Sequence, residues 1–160
     1  LVPLGFNQQK GAGMEFSTTK GNGRQQWESS ADRRNESDVA RILESKWACR
    51  LHKLPKSYRM DYIATRRGKP VAFVEVKCRK ISSTQFGTAM LSLSKYTSGK
   101  GITATTGIPS FVVFRFTDCI KYASLLEDYP IKIGGRTVQT RDSRDLEPVI
   151  EIPTERMETL

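Results

Sequence analysis

The stretch YRMDYIATRRGKPVAFVEVKCRK, residues 58–80, holds two extended runs on either side of a turn. Residues 58–65 and 70–77 are rich in β-branched and aromatic side chains. Between them Arg66-Arg67-Gly68-Lys69 predicts a tight hairpin turn, with glycine supplying the positive φ that such turns need. The second run has a readable parity, because side chains alternate faces along a strand. Ala72, Val74 and Val76 point one way; Phe73, Glu75 and Lys77 point the other. Glu75 and Lys77 therefore stand side by side on one face, and Asp61 on the preceding strand is placed to lie opposite them.

Working outward, Asn35 predicts the N-cap of a helix, with Asp38 three residues on completing a capping-box-like arrangement. Val39, Leu43 and Trp47, with Ala40 and Ile42 alongside, mark its core-facing stripe. Glu36 lies one turn before that stripe. Either it points inward toward the hairpin, or it only favours the positive end of the helix dipole. Residues 47–53 predict another strand, set off by Pro55. Downstream, Phe86, Met90, Leu93 and Tyr96 predict a helix over 83–97, and Gly99 to Pro109 a Gly/Thr loop. Residues 110–116 form a nearly continuous apolar run, expected of a strand buried on both faces. Residues 119–126 continue as a further strand or short helix. The tail from 131 predicts a hairpin turning at Gly134-Gly135, then a charged loop (Arg141, Asp142, Arg144, Asp145), then an extended segment ending near Pro153. The order helix, three strands, helix, strand predicts an α/β fold around a central mixed sheet flanked by helices. Residues 1–26 read as a flexible tail and 27–160 as one domain, with a core of about 35–117 and an extension over 118–160.

Of 160 residues, 38% are hydrophobic and 27% charged, a globular composition. No apolar run approaches the ~20 residues that cross a bilayer, and no secretory signal is expected. Cys49, Cys78 and Cys119 are odd in number and widely spaced, which argues against a disulfide framework and suits a reducing cytoplasm. The net charge of +9 is localised. Residues 46–80 carry 11 Lys or Arg and only two acids, Asp61 and Glu75, while the rest of the chain carries 15 of each sign. A concentrated positive field suits a phosphate backbone; a merely solvated basic face is the plain alternative. The two acids among the cations decide for the former. Two carboxylates and a carbonyl converging at a sheet edge make a hard oxygen site suited to Mg²⁺ or Mn²⁺. A lysine beside them is placed to hold a water or to offset charge growing on phosphate.

With Asp61 in Arg-Met-Asp-Tyr, Glu75-Val76-Lys77 ending a strand, and Glu36 on the helix before, residues 35–117 resemble the PD-(D/E)xK nuclease superfamily and its restriction-endonuclease-like α-β-β-β-α-β core. Met60 stands where the family's eponymous proline would be. The resemblance implies a metal-dependent endonuclease acting on DNA, structure-selective or resolvase-like. Asp61, Glu75 and the Val76 carbonyl would bind the metal, Glu36 would assist it, and Lys77 would position the attacking water. Gln85 matches a polar position that some relatives place on the helix after Glu-x-Lys; an exposed glutamine at the helix start is the reading expected first, with a site role second. Arg59, Arg66, Arg67, Lys69, Arg79 and Lys80 would contact DNA. For Lys95, surface charge is expected, with phosphate contact second. The chain is similar to small phage and mobile-element nucleases, which implies the host cytoplasm and a homodimer. A non-catalytic nucleic-acid-binding module with the same fold, or a basic interaction protein, are the other function classes.

Overall fold

The computed structural model describes residues 30–135 and 146–160. The tail 1–26 and the charged loop 141–145 lie outside the described residues.

Helix α1 (Ser30–Trp47) includes Asn35 in its interior, so Asn35 is not its N-cap. The helix runs through Ala31 to Arg34, mostly good helix formers, and Glu36 is thereby moved from the positive helix end into the second turn. Strands β1 (Arg50–Lys53), β2 (Tyr62–Arg66) and β3 (Lys69–Cys78) follow, with a 3-10 turn over Lys56–Tyr58. The predicted β2–β3 hairpin is present. Arg67 and Gly68 both take positive φ, 50° and 74°, as a two-residue turn between twisted strands requires.

The sequence reading of 83–97 as a helix is corrected. Residues 88–92 form strand β4, and the second helix, α2, spans Leu93–Thr106. Ala89 and Leu91 are buried while Met90 is exposed, which is period two rather than 3.6. The expected loop from Gly99 is mostly helix. Its glycine is needed there: a Cβ on Gly99 would lie 2.6 Å from Leu125 Cδ1 and 3.1 Å from Ser110 Oγ. Ser110 Oγ donates to the Gly99 carbonyl at 2.9 Å. Tertiary contact with β5 thus overrides weak helix propensity. Gly107 (φ 72°) closes the helix, its N–H donating to the Thr103 carbonyl.

Strand β5 (Ser110–Arg115) pairs parallel to β3 and antiparallel to β6 (Ile120–Ser124). Val112, Val113 and Phe114 have no exposed surface, as expected of a strand covered on both faces. Strand β9 (Glu158–Thr159) completes a six-stranded mixed sheet ordered β1-β2-β3-β5-β6-β9. Strands β7 (Ile131–Gly135) and β8 (Leu146–Pro153) pair antiparallel and join β4 in a second sheet, β4-β8-β7. Gly134 and Gly135 pair with Glu147 and Leu146 inside this ladder, so the expected turn at the glycine pair is instead strand. One face of the main sheet packs Val74 and Val76 on Val39 and Leu43 of α1. The other packs Phe73, Val112 and Phe114 with Leu91, Ile150 and Ile152 of the second sheet.

Gly99→Ala should lower the unfolding free energy by about 1–3 kcal/mol, the usual cost of overpacking. Chemical denaturation checks this; unchanged stability would show that Leu125 moves aside freely.

Candidate active site

Strand β2 begins at Tyr62, opposite Val74. Beyond that point β3 has no strand partner on the β2 side. Asp61 fills the place: its N–H donates to the Val74 carbonyl at 3.1 Å, and its Oδ2 accepts the Val76 N–H at 2.8 Å. The amide and carbonyl of one strand residue share an edge, so the Val76 carbonyl opens on the side where Asp61 stands.

Glu75 lies on the opposite parity from Val74 and Val76 and has no exposed surface. Two lysines reach it. Lys95 Nζ donates to Oε2 at 2.8 Å and also to the Arg59 carbonyl at 2.7 Å. Lys77 Nζ lies 2.6 Å from Oε1, so each oxygen of the carboxylate is ion-paired to a lysine. Burial pushes the Glu75 carboxyl above the usual carboxylate range. Lys77 and Lys95 pull it down and the charge of Asp61 adds to the rise, but burial wins. Asp61 and Glu75 are therefore near enough to repel.

Glu36 joins them indirectly. Lys53 Nζ lies 2.6 Å from Glu36 Oε2 and 3.7 Å from Asp61 Oδ1. Burial lowers the Lys53 ammonium, but the Glu36 hydrogen bond and the Asp61 charge together hold it above its ordinary value. Lys53 thus bridges Glu36 and Asp61, while Lys77 and Lys95 both pair with Glu75. Among the described residues no three acid, histidine or cysteine side chains group closely enough to hold a metal by themselves. The donor set on offer is two carboxylates and a backbone carbonyl, all hard oxygens. Asp61 and Glu75 stand close enough to repel beside the Val76 carbonyl, and such a set of hard oxygens fits a divalent ion.

The structure brings together Asp61, Glu75, Val76 and Lys77, and adds Glu36 through Lys53. Lys95 is corrected from a surface lysine to a half-buried partner of Glu75. The wrong helix boundaries hid it: with α2 starting at Leu93, Lys95 lies in the first turn, aimed at β3. Lys53 was counted only as charge, and nothing local in the sequence marks it. Arg66, Arg67 and Lys69 are not at the site. They stand at the hairpin tip, five residues along β2 from Asp61 and so roughly 16 Å away. Arg66 Nη2 and Nε donate to the carbonyls of Trp47 and Ala48, at 2.5 and 3.3 Å, closing the end of α1. Lys80 and Gln85 are exposed, Gln85 in a loop before β4 rather than on a helix. Arg79 follows Lys77 on the same face.

A family comparison decides what this edge belongs to. Residues 22–160 match the family described as "Phage putative PDDEXK endonuclease". The chain belongs to this phage PDDEXK endonuclease family. It is therefore a PD-(D/E)xK nuclease, a hydrolase of the endonuclease type. The Holliday junction resolvase Hjc of the archaeal hyperthermophile Archaeoglobus fulgidus has a similar solved structure, with a TM-score of 0.53 and 17% identity over 78% of this chain and 84% of that one. At that identity the likeness shows the fold, which is restriction-endonuclease-like. No curated protein matches the sequence. Among the described residues no helix is long and apolar enough to cross a membrane.

The Glu75 shift has a pH consequence. Its folded pKa lies above the unfolded one, so its contribution to stability is fully present below the unfolded pKa and is lost as pH rises through the folded pKa. In metal-free buffer, the stability of the wild type relative to Glu75→Gln should fall as pH rises above the ordinary carboxylate value of about 4. Denaturant melts at rising pH check it; a flat difference would show that the two lysines fully offset burial.

Proposed function

We propose that this endonuclease cuts DNA phosphodiester bonds with Mg²⁺, or Mn²⁺ in its place, at the edge formed by Asp61, Glu75 and Val76. The observation that carries the reading is the buried Glu75 carboxylate beside the Asp61 carboxylate at an unpaired strand edge, close enough that the charge of Asp61 helps raise the Glu75 carboxyl. Asp61, Glu75 and the Val76 carbonyl would hold the ion, with Glu36 assisting from α1. A bound divalent ion supplies Lewis-acid polarisation of the phosphate and a more acidic water. Lys77 orients the attacking water against the scissile phosphate. Lys95 and Lys53 hold the carboxylates in place, and their ammonium groups offset the phosphate charge as it grows. Arg59, Arg79 and Lys80 extend the positive field along one end of β3, and Arg66, Arg67 and Lys69 carry it to the hairpin tip, where duplex backbone would be met. Gln85, on the exposed loop, is a further DNA contact. Residues 27–160 work as one nuclease unit, in the host cytoplasm.

Asp61→Ala and Glu75→Ala should each abolish metal-dependent cleavage while DNA binding persists, since removing a carboxylate from a basic surface does not weaken phosphate attraction. Lys77→Ala and Lys95→Ala should cost rate more than metal affinity. Cleavage assays on a linear duplex and a four-way junction, with calorimetric Mg²⁺ and Mn²⁺ titrations, test this. Cutting at wild-type rate by the carboxylate variants would move the site elsewhere. A second reading, a binding module that does not cut, draws on the lysine paired to every carboxylate; it expects no Asp61- or Glu75-dependent metal binding.

With one site per chain, cutting both strands calls for two copies, so a homodimer is proposed. Sedimentation velocity should show a dimer at micromolar concentration; a monomer that still cuts both strands of a duplex together would contradict it.

A further inference from the structure

A groove of about 530 Å³ opens beside this edge, between the loop 79–87 and the outward face of the second sheet. Its head is Arg79, the next residue after Lys77 on the same face of β3. Two residues along a strand span roughly 6.6 Å, so the groove starts about one nucleotide from Lys77. Its walls are apolar: Ile81, Phe86, Met90, Phe116 and Val149. Phe86 is 57% exposed and Met90 40%, large apolar groups left open to water next to a charged site.

The loop that carries Phe86 is tied down along its length. Arg79 N–H donates to the Arg115 carbonyl, Thr117 N–H to the Ile81 carbonyl, and Thr154 N–H to the Gly87 carbonyl. Ser83 donates its N–H and hydroxyl to the two oxygens of Asp118, at 2.7 and 2.6 Å. An exposed ring on an anchored loop is a flat surface whose ordering cost is already met. Glu147 and Glu151 also line the groove. Lys132 Nζ lies 2.6 Å from Glu151 Oε2 and offsets its charge. Arg79 at the head donates Nη2 to the Met90 carbonyl at 2.8 Å and lies over the Phe114 ring, which ties the start of the loop to β4. Apolar walls and an open aromatic face on an anchored loop suit the flat face of a nucleobase.

We propose that this groove takes an unpaired base of the substrate strand, next to the scissile phosphate, so that the preferred substrate is DNA with unpaired nucleotides beside the cut. A base in intact duplex is stacked and paired, and its face is not on offer. The inference rests on the reading of the Asp61–Glu75–Lys77 edge as the place of cleavage.

The test is fluorescence-anisotropy binding in EDTA, using a labelled mixed-sequence DNA 12-mer and the blunt duplex of the same sequence. Phe86→Ala should weaken single-strand binding about tenfold or more, the usual loss of one base–aromatic stack, with duplex binding unchanged. Phe86→Trp should restore it. The unchanged duplex affinity also reports that the variant is folded. Wild-type single-strand affinity in Phe86→Ala, an equal loss for both probes, or a wild type that binds only the duplex would each overturn the proposal. Because no metal is present, these outcomes are separate from the cleavage assays: an intact Asp61-dependent activity with an indifferent Phe86 overturns the groove and leaves the site standing.

Discussion

Glu75 carries a carboxylate with no exposed surface in the middle of the central sheet. Burying an isolated charge costs on the order of several kcal/mol, so groups must be brought to it from elsewhere. Lys77 comes from the same strand and Lys95 from α2. Because Lys95 also bonds the Arg59 carbonyl, the start of α2 is fastened both to the strand and to the residue just after the 3-10 turn. One helical turn further on, Gly99 lets the same helix rest on β5 without a Cβ between them. The position of α2 is thus set by one buried charge and one missing side chain.

The second device is the way β2 starts late. An ordinary strand would continue the ladder past Val74. Asp61 instead supplies a side-chain oxygen to the Val76 N–H, which satisfies the backbone and leaves a carboxylate at the sheet edge. The structural task of ending a strand and the chemical task of presenting oxygen donors fall on the same residue. Lys53 balances the charge from the other face and links it to Glu36. The family match and the fold name a nuclease, but a fold shared by many nucleases does not name a substrate.

Much of the site was legible in residues 58–80. The hairpin, its two-residue turn and the side-chain parity of β3 are local properties, set by alternation and by glycine at positive φ. The fully buried β5 was equally plain from its unbroken apolar run. The charge count was legible as a number but not as a place: it drew Arg66, Arg67 and Lys69 toward the site, whereas a hairpin carries its two ends apart, and Arg66 closes α1 instead. The segment 83–106 was misread because short apolar runs fit either period. What makes 88–92 a strand is β8, about sixty residues downstream, pairing Ala89 with Ile152 and Leu91 with Ile150.

By itself, then, the sequence determined the hairpin, the faces on which Glu75, Lys77 and Val76 stand, and the chemistry that two acids and a lysine at a strand end imply. These follow from backbone geometry over a few residues. The tertiary structure decided which cations meet which carboxylates, where α2 begins, and that a groove runs from Arg79 past Phe86. Each of those depends on segments far apart in the chain coming together to bury apolar surface, and local periodicity carries no record of which segments will meet.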